Sequence, residues 1–72
     1  MSIGSIAMTA AWTPVMDPND PRHKLGELGS GERVLILGRS HNDDWFMRVM
    51  HPHFGPCQVF SAKLIPYREV KQ

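Results

Sequence analysis

Cysteine is nearly absent from this chain. Cys57 is the only one among 72 residues, so no disulfide forms within it. A domain this short buries only about 60% of the surface its unfolded chain exposes. Chains of this size often lean on a partner, a metal or self-association. Charge of one sign is missing too. Eight Lys and Arg against seven Asp and Glu leave a net charge of +1, which supplies no basic field for gripping phosphates. Apolar runs are short, and none approaches the ~20 residues that a membrane-spanning helix needs. The opening MSIGSIAMTAAW has neither a charged leading region nor a long apolar stretch, so no secretory signal is expected. Together with the free cysteine, this points to a cytoplasmic, reducing location.

Uninterrupted helical windows are also lacking. Prolines stand at 14, 18, 21, 52, 56 and 66, and the one long gap between them contains Gly26, Gly29, Gly31 and Gly38. Each glycine costs about 1 kcal/mol in a helix interior. Helix is therefore disfavoured throughout, and with 42% hydrophobic residues the chain is globular and all-β.

The strongest strand is Glu32–Leu37, β-branched and apolar, bracketed by Gly31 and Gly38. Val34 and Ile36 on one face, Leu35 and Leu37 on the other, predict a strand covered on both sides. Arg39–Asp44 is a polar turn. The strand Trp45–Met50 follows, with Trp45, Met47 and Val49 as the core face, because Arg48 on the other face cannot be buried without a charge partner. Short strands are expected at Cys57–Phe60 and Leu64–Tyr67, with a 3₁₀ turn at Ser61–Lys63 between them. Ile6–Trp12 is a further strand. Thr13–Lys24 carries three prolines with Asp17, Asn19 and Asp20, and is expected as a long polar loop of the kind that often carries function. The expected organisation is a lead-in at 1–9, a small five-stranded SH3-like barrel at 10–67 and a tail at 68–72. Closing the barrel hides edges that so short a chain could not otherwise cover.

Several segments resemble known families. Lys24–Gly38, KLGELGSGERVLILG, is similar to the bacterial SH3 pattern in which an apolar-Gly-x-Leu stretch leads to Gly-Glu-x-Val-x-Val-Leu. Asp44-Trp45-Phe46 resembles that family's Asp-Trp-Tyr/Phe step, and Val59–Leu64 its closing Val-x-Ser-x-Tyr-Leu, with Lys63 in place of the tyrosine. This resemblance implies a binding module whose aromatics face a partner. A narrower one links Gly55–Phe60 to the Gly-x-Val-Gln-Ile-Tyr segment of type II dihydrofolate reductases, which are small SH3-like barrels assembled as tetramers. It implies Gln58, Val59 and Phe60 lining a central pore and binding NADPH and pterin. The pore lysine of that family falls near Ile36 or Leu37, where no charge stands.

The candidate partner-binding residues are Trp45, Trp12, Asp17, Asp20, Asp44, Phe60 and Tyr67. Exposed aromatics mark interfaces because they bury much area at low entropy cost. The resemblance places Trp45 on the binding surface, whereas the alternation of its strand places it in the core. The aspartates would form an acidic rim for a basic partner segment, or else serve as turn formers. His51, His53 and Cys57 have ligand types suited to Zn²⁺ but lack a fourth ligand, so no metal is expected. Cys57 lacks an orienting third group for nucleophilic work and is expected as a half-buried strand residue. Arg33, Arg39, Arg48, Lys63 and Arg68 are scattered along the chain, which disfavours a nucleic-acid groove. The expected function is a non-enzymatic protein-binding module, acting as an accessory or regulatory subunit without a cofactor, its partner another protein or a second copy. The alternatives are a reductase-like homotetramer and a phage- or plasmid-type nucleic-acid-binding barrel.

Overall fold

The computed structural model describes residues 3–40 and 44–67. The expected tail at 68–72 and the turn residues His41, Asn42 and Asp43 lie outside the described residues. Seven strands form in chain order: β1 Ile6–Thr9, β2 Thr13–Asp17, β3 Asp20–Leu28, β4 Arg33–Arg39, β5 Phe46–His51, β6 Gly55–Phe60 and β7 Leu64–Pro66. A 3₁₀ turn at Ser61–Lys63 separates the last two. All ladders are antiparallel, in one sheet of order β3-β2-β6-β5-β4-β1-β7. Among the described residues there is no α-helix, and no helix is long and apolar enough to cross a membrane.

Two strands appear where a loop was expected. The Thr13–Lys24 segment belongs to a β-hairpin, β2–β3, so the described residues form seven strands rather than five. Its prolines are tolerated because of where they fall. Pro21 lies in β3, the outermost strand, where a missing N–H breaks no central ladder. Pro14 lies in β2, whose second partner strand is met at one pair, Met16 opposite Gln58. Pro18 sits in the turn, closed by the Asn19 N–H donating to Asp17 Oδ1 at 2.7 Å. The pairing jumps from Met16↔Lys24 to Asp17↔Asp20, which leaves Pro21, Arg22 and His23 as a bulge. Composition described this segment as polar and turn-rich. Burial of Val15 and Leu28, 0% and 1% exposed, makes it a strand pair.

One apolar cluster joins every strand: Ala7, Val15, Leu28, Val34, Ile36, Val49, Cys57, Val59 and Leu64. The ladder is open, with β3 and β7 as its two edges, and the cluster runs across it from Leu28 of β3 to Leu64 of β7. The lead-in at 1–9 is part of this structure, since β1 contributes Ala7 to the cluster. The first strand is shorter than the expected Ile6–Trp12. It ends at Thr9, whose N–H donates to Glu32 O at 2.9 Å, and the chain then crosses to the 3₁₀ turn through Ala10 N–H donating to Lys63 O at 2.7 Å.

In β4 the core residues are Val34 and Ile36, with Leu35 and Leu37 half-buried on the other face. In β5 Met47 and Val49 face inward as expected, but Trp45 does not. It lies in the turn before β5 and is 72% exposed. Its carbonyl accepts from Ser61 in the 3₁₀ turn, and β5 begins one residue later, at Phe46. Phe46 is buried on the opposite face by stacking on Phe60, ring centroids 4.6 Å apart. Cys57 is fully rather than half buried.

Candidate functional site

The β6 strand and the 3₁₀ turn after it form a strip that gathers several of the candidate residues. At one end the Gln58 amide donates through Nε2 to Asp17 O at 2.8 Å, holding the β2–β3 hairpin against β6. Two residues further, Phe60 stacks on Phe46. At the other end, Trp45 O accepts both the Ser61 N–H at 2.9 Å and the Ser61 hydroxyl at 3.1 Å. Asp17, Phe60 and Trp45 therefore lie along one strip, roughly 10 Å from Gln58 to Ser61. Asp44 is exposed beside Trp45, and Asp20 is exposed at the hairpin turn. Both hairpin aspartates also act as turn formers: Asp17 Oδ1 accepts the Asn19 N–H and Asp20 Oδ1 accepts the Arg22 N–H at 3.0 Å.

Trp12 and Tyr67 lie elsewhere. Trp12 is half exposed and sits in a polar frame on the hairpin: its Nε1–H donates to Glu27 Oε2 at 2.5 Å, and Lys24 Nζ lies 5.6 Å from its ring centroid. Lys24 also reaches Glu27 Oε1 at 2.9 Å. The Lys24 hydrogen bond first, then the Trp12 hydrogen bond and the Lys24 charge, hold the Glu27 carboxyl below its ordinary range. Tyr67 stands at the end of β7, with the Arg33 guanidinium 4.5 Å from its ring centroid.

Of the residues implied by the reductase resemblance, Phe60 is half-buried. Gln58 and Val59 are both 0% exposed within the single chain. The Gln58 amide nitrogen is committed to Asp17, and its Oε1 has no hydrogen-bond partner among the described residues. Gln58 acts here as the tie between hairpin and sheet. The metal-ligand types also fail to converge, since no group of three His, Cys, Asp or Glu side chains could hold an ion among the described residues. Cys57 is enclosed in the core, and burial pushes its thiol up to about 11. That is the reverse of an activated nucleophile.

Sequence reasoning missed a polar network at the far end of the sheet. Thr9 Oγ1 donates to Gly29 O at 2.5 Å and accepts the Glu32 N–H at 2.9 Å. Glu32 Oε2 accepts the Gly29 N–H at 2.5 Å, and Oε1 lies 3.2 Å from His51 Nε2. His51 Nδ1 accepts the N–H groups of His53 and Phe54. Those bonds assign the ring proton to Nε2, so His51 donates to Glu32. No local signal links residues so far apart in sequence. The nearest hint was the position of Glu32 directly after a Gly-Ser-Gly turn.

Compared with known proteins, the chain matches no family model, no curated protein and no solved structure.

Proposed function

We propose that this chain is a small SH3-like barrel that binds a partner protein along the strip from Asp17 over Phe60 to Trp45, without catalysing a reaction. Strands β1, β4, β5, β6 and β7 supply the five barrel strands of this reading. The β2–β3 hairpin takes the place of the long early loop, and the 3₁₀ turn precedes the last strand as the resemblance requires. The observation that carries the function is Trp45. Its indole is 72% exposed while its carbonyl is held twice by Ser61. A large aromatic presented on a fixed backbone is the feature that dominates protein interfaces, because little freedom is lost when it is covered. The exposed carboxylates of Asp44 and Asp20 favour a partner segment carrying Lys or Arg. The site needs no cofactor.

The test is selection of peptides from a displayed random library on the immobilised full chain. Binding of the selected peptide is expected to fall at least tenfold in Trp45→Ala, with the thermal midpoint unchanged. Recovery of no binding peptide, or equal binding by Trp45→Ala, overturns the proposal.

A further inference from the structure

The outer face of β1, β4 and β5 carries a second feature, away from the Trp45 strip. Ile6, Leu35 and Met50 are successive Cα partners across three adjacent strands. Cross-strand partners on one face pack side by side, so these three make a continuous apolar row. Met50 lies four residues along β5 from Phe46, about 13 Å away. Pro52 and Tyr67 wall the row into a groove of about 360 Å³. Tyr67 is held there by its N–H donating to Ile6 O at 3.1 Å. Ile6 and Met50 remain 40% and 37% exposed.

Among the described residues, one charge borders this groove. The Arg33 guanidinium lies over the Tyr67 ring at 4.5 Å, and among the described residues no carboxylate pairs with it. Its sequence neighbour Glu32 directs its carboxylate elsewhere, onto His51 and the Gly29 N–H. The stacked guanidinium keeps its fork of donors for a planar acceptor.

We infer that the groove binds an amphipathic carboxylate of small-molecule size, its apolar chain along Ile6, Leu35 and Met50 and its carboxylate on Arg33. The volume lies at the lower end of small-molecule pockets, which run from about 300 to 1,000 Å³. An apolar lining with one fixed polar group is their usual composition. A single guanidinium matches a single negative charge. A second copy of the chain fits less well, because a two-fold contact centred here would bring Arg33 against the Arg33 of the other copy.

The test uses the full chain with octanoate, octanol and octylamine as probes, followed by NMR. Saturable shifts are expected at Ile6, Leu35 and Met50 with octanoate, at an affinity at least tenfold above octylamine. Arg33→Gln is expected to abolish the preference for octanoate over octanol. Met50→Gln, at a position already exposed, is expected to weaken octanoate about fivefold while leaving the fold intact. Trp45→Ala is expected to change none of this, which separates the groove from the proposed partner strip. Three results overturn the inference: no saturable shift, equal affinity for octanoate and octylamine, or a preference that survives Arg33→Gln. A fourth is movement of the same resonances with protein concentration alone together with a dimer mass in sedimentation, which gives the groove to a second copy.

Discussion

His51 donates through Nε2 to Glu32 Oε1 at 3.2 Å while its Nδ1 accepts two backbone N–H groups from its own turn. One buried ring thereby ties the β3–β4 turn to the β5–β6 turn. Replacing it strands those donors at the mouth of the core. His51→Ala is expected to cost about 1–3 kcal/mol in urea unfolding. His51→Asn, whose Oδ1 can stand in for Nδ1, should recover part of that loss. A His51→Ala variant as stable as the wild type would show that the network contributes nothing.

Phe54 packs directly on the backbone of Gly26. A β-carbon built at Gly26 would lie 2.5 Å from Cε1 and Cζ of that ring. Phe54 also packs against the core cluster, so it cannot swing away without loss. Gly26→Ala should destabilise by about 1–3 kcal/mol, the usual cost of overpacking. In a Phe54→Ala background the same change should cost much less, and the double-mutant cycle measures that difference. Additive effects would place the ring elsewhere.

The buried Cys57 thiol makes stability depend on pH at the alkaline end. Its value rises from 9.0 to about 11 on folding. Below pH 9 both folded and unfolded chains keep the proton, and the stability is fully present. Between about pH 9 and 11 the unfolded chain releases it first, so stability falls as pH rises. The loss is on the order of 2 kcal/mol by pH 11. Urea unfolding at pH 8 and pH 10.5 should show the drop in the wild type and a smaller one in Cys57→Ala, where only the other groups titrate. Equal drops in the two proteins would mean that the thiol is not enclosed.

Trp45 and Val49 stand four residues apart and should respond oppositely to truncation. Val49 is fully buried, and Val49→Ala should cost about 2 kcal/mol through lost burial and the cavity left behind. Trp45→Ala should shift stability by less than about 0.5 kcal/mol, as exposed positions do. Unfolding of Trp45→Ala would put the indole in the core.

Glu27 holds Trp12 more strongly when it is ionised. Its carboxyl titrates below the ordinary range, so the contact with Trp12 is at full strength above that range and weakens as pH falls through the lowered value. In a Trp45→Phe background the Trp12 fluorescence should report this acid transition. Glu27→Gln should remove it, and an unchanged titration would count against the pairing.

The amino-acid sequence by itself determined the class of this protein. Prolines and glycines at short intervals leave no stretch long enough for a helix, and the alternation of Val34, Leu35, Ile36 and Leu37 marks β4 wherever the chain folds. The 3₁₀ turn at Ser61–Lys63 was legible for the same reason, since it depends on neighbours in the chain. What only the tertiary structure decided rests on contacts between distant residues. The Thr13–Lys24 segment is polar by composition, and it becomes part of a hairpin because Val15 and Leu28 reach a shared core and Gln58 ties Asp17 to the sheet. Trp45 fits the core by alternation, yet it lies in the turn before β5 and is exposed, with its carbonyl accepting from Ser61, sixteen residues on. The groove on Arg33 was legible only as apolar residues left over on the second face of β4. Its shape depends on Ile6, Met50 and Tyr67 arriving from three other parts of the chain, and sequence spacing carries no record of that meeting.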